Sequence, residues 1–107
     1  MNHRCAAKFF ARAAAKVPGV LRVTLFGSVA RGTETGNSDV DVAVVVARKT
    51  RRLQDEILRL ATEATDAYRV AVVPLFLTPR EAIPAQLRES LESGTVLWEA
   101  RAQEAGT

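Results

Sequence analysis

Two aspartates separated by one residue, Asp39 and Asp41, lie at the start of an almost continuously apolar run over residues 40–47. Side chains alternate across a strand, so these two carboxylates point to the same face. Neighbouring carboxylates repel each other, and burying them without a partner is costly. The run itself offers no basic residue to pair with them. A bound cation would resolve the conflict, and oxygen ligands of this kind favour Mg²⁺, which usually shares its coordination shell with substrate phosphates.

A glycine–serine pair, Gly27 and Ser28, ends an earlier apolar segment and supplies a second chemical feature. A helix that starts just after a strand directs free backbone N–H groups into the space beyond the strand end. Gly27 lets a phosphate approach the backbone, the Ser28 hydroxyl can donate to it, and Arg31 is near enough in sequence to reach a phosphate oxygen. A phosphate held there and bridged by Mg²⁺ to Asp39 and Asp41 indicates a nucleoside triphosphate as the ligand.

Each of these residues also has a purely structural interpretation. "NSD", residues 37–39, is turn chemistry, but a turn does not explain Asp41 inside the apolar run. Gly27 and Ser28 could simply stop a strand and cap a helix, and both roles can hold together. Arg31 could be a solvated helix residue.

The elements that would position these residues follow from periodicity and from breaker residues. Helices are predicted at 3–16, at 28–32 with Ser28 as the N-cap, at 50–67, and at 79–93 with an interruption at Pro84; strands are predicted at 20–26, 40–47, 69–78 and 95–99. Pro74 cannot donate to a sheet, so the third strand is predicted at an edge or to end early. The alternation predicts an α/β (α+β) fold with a small mixed β-sheet and helices packed on it.

Length and composition limit the classes of protein to be considered. A chain of 107 residues predicts a single domain over 1–107, and a net charge of +3 permits nucleic-acid binding without indicating it. "RKTRR", residues 48–52, could touch RNA, although a solvated loop and helix start is the simpler interpretation. Cys5 is the only cysteine. With no apolar leader or membrane span in the sequence, we expect a cytoplasmic protein without membrane contact.

"GSVARG" followed by "SDVDV" resembles the nucleotidyltransferase superfamily of DNA polymerase beta, and the compact length resembles its minimal nucleotidyltransferases, the MNT proteins. The resemblance implies a nucleotidyltransferase fold, with Gly27 and Ser28 holding a triphosphate. It implies Asp39 and Asp41 as catalytic ligands of Mg²⁺. MNT proteins often act as the antitoxin of a HEPN-domain toxin, which implies a protein partner. The expected reaction transfers a nucleotide from an NTP, most simply ATP, to a hydroxyl on a macromolecule.

The family pattern also calls for a third carboxylate on a later strand, and here the chain departs from it. Ala71 stands at the expected position, and residues 67–80 contain no Asp or Glu. Three interpretations follow. Another acid, such as Asp66 or one from a partner, could complete the site. The chain could bind Mg²⁺–nucleotide without turnover, or it could keep the fold as a structural binder, an adaptor or blocking antitoxin.

Overall fold

Four helices and four strands alternate along residues 2–101, the part of the chain that the computed structural model describes. The helices are α1 (Asn2–Ala14), α2 (Gly27–Arg31), α3 (Arg51–Tyr68) and α4 (Ala85–Glu92). The strands are β1 (Val20–Phe26), β2 (Val40–Val46), β3 (Val72–Leu77) and β4 (Thr95–Glu99). The predicted α+β class is confirmed. Within the described residues, none of the helices has the length and apolar character that a bilayer crossing requires.

The strands form one mixed sheet in the order β3-β2-β1-β4. β1 pairs antiparallel with both β2 and β4, whereas β2 and β3 are parallel and are joined through α3. β3 therefore lies at an edge, as the proline at position 74 predicts.

One face of the sheet packs against α1 and α3 and forms the main core. Val42 and Val44 of β2 are fully buried in the same cluster as Phe10 of α1 and Ile57 of α3. The opposite face holds a smaller cluster, in which Ala43, Val45 and Leu77 are joined by partly buried residues of α4 and the loop before it. β2 is thus buried on both faces, which explains its continuously apolar sequence.

The structure corrects two predicted helix starts. Ser28 is not the N-cap of α2: the helix begins at Gly27, after Phe26, which makes no side-chain capping bond. Gly27 has a φ of +77° and follows β1 directly, so the helix starts one residue earlier than predicted. The helix predicted from position 79 begins only at Ala85, because Pro84 occupies the N-cap and favours an extended residue before it. The predicted end of α2 at Gly32 is confirmed by its left-handed backbone.

Candidate functional site

The turn from β1 into α2 places the backbone of Gly27 against the carboxylate of Asp41. Phe26, the last residue of β1, pairs with Asp41 of β2, so Gly27 follows directly beside that aspartate. A Cβ built on Gly27 would lie only 2.6 Å from Asp41 Oδ2. Both the positive φ and this close approach require glycine at position 27. The glycine and one acid of the sequence motif are therefore in direct contact.

The two acids differ in their surroundings. Asp39 is exposed in the loop before β2, whereas Asp41 is half-buried. Burial raises the pKa of Asp41, and the neighbouring charge of Asp39 raises it further, while the Arg31 guanidinium lowers it. Neither carboxylate forms an ion pair within residues 2–101. The structure therefore leaves two neighbouring carboxylates without an ion-pair partner among the described residues, an arrangement that suits a cation.

The residues of α2 surround the same turn. Ser28 is the second residue of the helix and is half-buried, and its hydroxyl makes no hydrogen bond in the described part of the chain. Its carbonyl oxygen accepts from the Thr33 N–H at 3.0 Å, which closes the helix end. Arg31 is exposed at that end and lies close enough to act on the charge of Asp41. Predicted phosphate-binding residues and predicted acids thus surround one turn.

The neighbouring strand brings no third acid to this place. Val73 pairs with Asp41 across the parallel β2–β3 ladder, and the Ala71 carbonyl oxygen accepts from the Val40 N–H at 2.7 Å. Ala71 and Val73 are both exposed, so side chains at these positions have room beside the aspartates. Within residues 2–101, no three His, Cys, Asp or Glu side chains lie together as a metal site.

Two other acids of the sequence do not complete the pair. Asp66 is exposed near the end of α3 and lines a shallow surface depression with Thr65 and Arg69. Glu81 forms an ion pair of 2.7 Å with Lys49, and that hydrogen bond lowers the pKa of Glu81. Asp66 does not join Asp39 and Asp41 in a group of three ligands.

Two residues near the site carry no local sequence signal. The buried His3 ring lies with Nε2 3.2 Å from the Ser38 carbonyl oxygen, directly before Asp39. Arg4 Nη2 donates to the Val29 carbonyl oxygen of α2 at 2.9 Å. These contacts span 35 and 25 residues of sequence, so only the folded chain reveals them.

Two further features lie farther along the chain from the acid pair. A cavity of about 410 Å³ lies between α4 and the sheet on the face that carries Asp41, and its lining includes Ala43 and Val45 of β2 and Arg88 of α4. Residues 48–52 form an exposed loop and the start of α3, where Thr50 caps the helix by accepting from the Leu53 N–H at 3.2 Å. The predicted loop and helix start are therefore both present at this basic run.

Comparison with known proteins gives a family match and a set of structural neighbours. The model of a family described as "Nucleotidyltransferase domain" matches residues 7–97. Among curated protein sequences, none matches the chain significantly. A chain from a toxin–antitoxin structure with AMP-PNP superposes with a TM-score of 0.63 at 23% identity, covering 94% of this chain and 77% of its own length.

Two more solved structures show the same fold. A chain from the complex of tri-AMPylated Shewanella oneidensis HEPN toxin with MNT antitoxin has a TM-score of 0.57 at 17% identity, over 96% of this chain and 77% of its own. A chain from the toxin–antitoxin MntA–HepT structure has a TM-score of 0.53 at 20% identity, covering 97% of this chain and 75% of its own length.

Proposed function

The chain belongs to the nucleotidyltransferase domain family, and on that premise we propose that it binds Mg²⁺–ATP or another NTP and transfers the nucleotide to a hydroxyl on a macromolecule. The observation that carries the proposal is the contact of Asp41 with Gly27 at the end of β1, with Asp39 two residues before it. This arrangement combines a backbone that a phosphate can approach with two carboxylates for a divalent ion.

The residues present fit a magnesium ion in part. Two unpaired carboxylates, one of them with a raised pKa caused first by burial and then by its neighbour, are relieved of mutual repulsion by a divalent cation. Asp39 and Asp41 would hold the ion, and bound triphosphate oxygens would supply further ligands. When bound, Mg²⁺ neutralises charge on the phosphates and on the leaving pyrophosphate.

The remaining residues would bind and orient the triphosphate. Gly27 presents its backbone without a side chain, and the Ser28 hydroxyl is free to donate to a phosphate oxygen. The guanidinium of Arg31, at the other end of the helix, adds positive charge beside them. In the transfer, the acceptor oxygen bonds to the α-phosphorus, the bond to pyrophosphate breaks, and the hydroxyl proton passes to solvent. Catalysis of this kind depends mainly on positioning and on charge neutralisation.

A protein partner would supply the acceptor. Structural neighbours include toxin–antitoxin complexes, one of them with an AMPylated HEPN toxin, and these support a HEPN-type toxin as the partner of this chain. The acceptor would then be a tyrosine or another hydroxyl on the toxin.

Labelled ATP tests this proposal directly. The protein, Mg²⁺ and a HEPN-type toxin are incubated with ATP labelled on the α-phosphate or, separately, on the γ-phosphate. Nucleotide transfer predicts that only the α-label becomes attached to protein, and that the Asp41→Asn variant attaches none. Absence of α-label on any protein, under conditions where ATP binding is measured, would contradict transfer.

One observation favours a second candidate function. Ala71 and Val73 leave the β3 side of the site without a carboxylate, which weakens the case for metal-assisted activation of the acceptor hydroxyl. The chain would then bind nucleotide or the toxin without turnover and act as an adaptor or a blocking antitoxin. Neutralisation of the toxin that survives Asp39→Ala would support this candidate, whereas its loss would favour the enzyme.

A further inference from the structure

The first turn of α1 contacts both halves of the site. His3 is only 6% exposed, and its Nε2 lies 3.2 Å from the Ser38 carbonyl oxygen. The next residue, Arg4, reaches α2, where Nη2 lies 2.9 Å from the Val29 carbonyl oxygen and 3.5 Å from that of Ala30. Adjacent residues of one helix thus hold the loop that carries Asp39 and the helix that carries Ser28.

The His3 bond fixes the backbone directly before the first acid. A carbonyl oxygen only accepts, so Nε2 must carry the proton in this contact. The loop is otherwise held largely by its own short-range bonds, such as those of Thr35 N–H to Ser38 Oγ at 2.9 Å and of Ser38 N–H to the Thr35 carbonyl oxygen at 3.0 Å. Such bonds shape the loop but do not attach it to the rest of the domain. The buried imidazole does attach it.

The Arg4 bond acts on a very short helix. α2 has five residues, and the backbone N–H of its C-cap, Gly32, donates to the Ser28 and Val29 carbonyl oxygens. Arg4 adds a cationic donor to the Val29 carbonyl oxygen at this end, where its charge also complements the negative end of the helix dipole. Because Ser28 lies in the same single turn, holding the C-terminal end of α2 also fixes the orientation of its first residues.

We propose that His3 and Arg4 are positioning residues for nucleotide and metal binding: His3 fixes the acid pair, Arg4 fixes the phosphate-binding turn, and their adjacency on α1 sets the separation between the two. This inference rests on the proposed function, because it assigns these residues to the same site. It predicts different defects for the two variants. Loss of the His3 bond should weaken metal binding, and loss of the Arg4 bond should weaken phosphate binding.

Two titrations separate these defects from a general loss of stability. The first measures the Mg²⁺ concentration that gives half-maximal ATP binding, and the second measures the Kd for ATP at saturating Mg²⁺. His3→Ala should raise the half-maximal Mg²⁺ concentration about fivefold and the Kd for ATP by less than about twofold. Arg4→Ala should raise the Kd for ATP about fivefold and the half-maximal Mg²⁺ concentration by less than about twofold. These sizes correspond to one lost hydrogen bond in each case.

Matched variants make the test specific. His3→Gln keeps an N–H donor and should restore most of the Mg²⁺ response, and Arg4→Lys should restore part of the ATP affinity. Cys5→Ala changes an exposed neighbour on the same helix and should behave as wild type. Ile57→Val removes a buried methyl group from α3 and reports what plain destabilisation does. Equal losses in both titrations, or losses that Ile57→Val reproduces, would overturn the proposal.

Hydrogen exchange without ligand distinguishes failure of this inference from failure of the proposed function. If the wild-type protein binds no nucleotide with Mg²⁺, the proposed function fails, and exchange alone decides whether the two contacts hold their segments. His3→Ala should then speed exchange over residues 35–40, and Arg4→Ala over residues 28–33, each by about fivefold, with α3 unchanged. Exchange that stays at the wild-type rate in both segments would overturn the inference.

Discussion

β2 and β3 are parallel neighbours that begin at the same end of the sheet, and they differ in the side chains that they carry at that end. Asp39 and Asp41 lie on either side of Val40, the first residue of β2, whereas Ala71 and Val73 lie on either side of Val72, the first residue of β3. On the face that packs against α1 and α3 the two strands are alike, since Val40 and Val72 are both buried in the main core. On the opposite face one strand carries two carboxylates and the other carries only methyl groups.

This difference separates what the fold needs from what the site needs. The core face requires only apolar side chains, and both strands provide them. The acid pair does not stabilise the fold, because burial and mutual repulsion raise the pKa of Asp41 and so disfavour its charged form. Carboxylates that lower the stability of the fold indicate a role in ligand binding. The lack of a carboxylate on β3 is the point at which the proposed site departs from the family pattern.

The largest expected effect comes from removing the charge that β2 contributes. Asp41→Asn keeps the shape of the side chain but removes an anionic ligand, so Mg²⁺-assisted ATP binding should fall by more than about 100-fold, beyond the loss typical of residues that only support a ligand. Isothermal titration with and without Mg²⁺ measures this loss. An Asp41→Asn variant that binds Mg²⁺–ATP like the wild type would remove the distinction between the two strands.

The next effect concerns the contact between Gly27 and the acid. Gly27 and Gly32 have φ values of +77° and +76°, but a Cβ at Gly32 would meet nothing within 4 Å. Alanine at either position should therefore cost about 1 kcal/mol of unfolding free energy through backbone strain. Only Gly27→Ala displaces Asp41, so only this variant should weaken Mg²⁺–ATP binding, by about 30-fold.

Urea unfolding and nucleotide titration of this matched pair measure the two effects separately. Equal ATP affinities of Gly27→Ala and Gly32→Ala would show that the close approach at position 27 has no part in binding.

A smaller effect is expected from giving β3 the acid that it lacks. Ala71→Asp places a carboxylate beside Asp39 at an exposed position, and should raise the rate of nucleotide transfer about tenfold, equivalent to about 1.4 kcal/mol of barrier. Ala71→Asn is the uncharged control and should leave the rate unchanged. Because Val73 pairs with Asp41, Val73→Asp tests the second position. If neither Ala71→Asp nor Val73→Asp raises the rate of nucleotide transfer, the missing carboxylate on β3 does not limit that rate.

The smallest effect is the pH dependence of stability without metal. The folded state holds the Asp41 proton more tightly than the unfolded chain does. Ionisation of the Asp41 carboxyl group therefore lowers the free energy of unfolding. The contribution of this group is greatest below the ordinary pKa of 3.8 and is lost as pH rises through the raised pKa. Relative to wild type, Asp41→Asn should thus gain less than about 1 kcal/mol at neutral pH, because solvent screens a half-buried carboxylate.

Urea unfolding across this pH range measures the difference between wild type and Asp41→Asn. The gain should disappear at low pH and reverse in sign when saturating Mg²⁺ and ATP stabilise only the wild type. A difference that does not change with pH would contradict the raised pKa.

Most of the fold follows from local sequence. The strand predicted at 20–26 has these bounds in the structure, and β2 and α3 agree with their predictions to within one residue at each end. Pro74 predicts the edge position of β3 because its missing N–H is a local property. By contrast, the pairing of β4 with β1 depends on residues about 70 positions apart along the chain, and no periodicity encodes it.

The site was predictable only in part. The acids and the glycine–serine pair follow from side-chain chemistry on adjacent elements, and the structure brings them to one turn. The N-cap assigned to Ser28 was wrong because the helix starts at Gly27, whose φ is positive and whose close neighbour, Asp41, comes from a different strand. His3 and Arg4 carry no local signal, since their partners are backbone carbonyls whose positions depend on the whole fold.

The position of β4 also has a consequence for synthesis of the chain. This strand is the last of the described elements to leave the ribosome, yet it covers one side of β1, near the middle of the sheet. Until residues 95–99 emerge, β1 pairs only with β2, so the nascent chain exposes the other edge of a strand whose Val23 and Leu25 belong to the core. An open apolar strand edge invites aggregation. Ribosome-bound chains that stop short of β4 should therefore be the species that molecular chaperones need to protect.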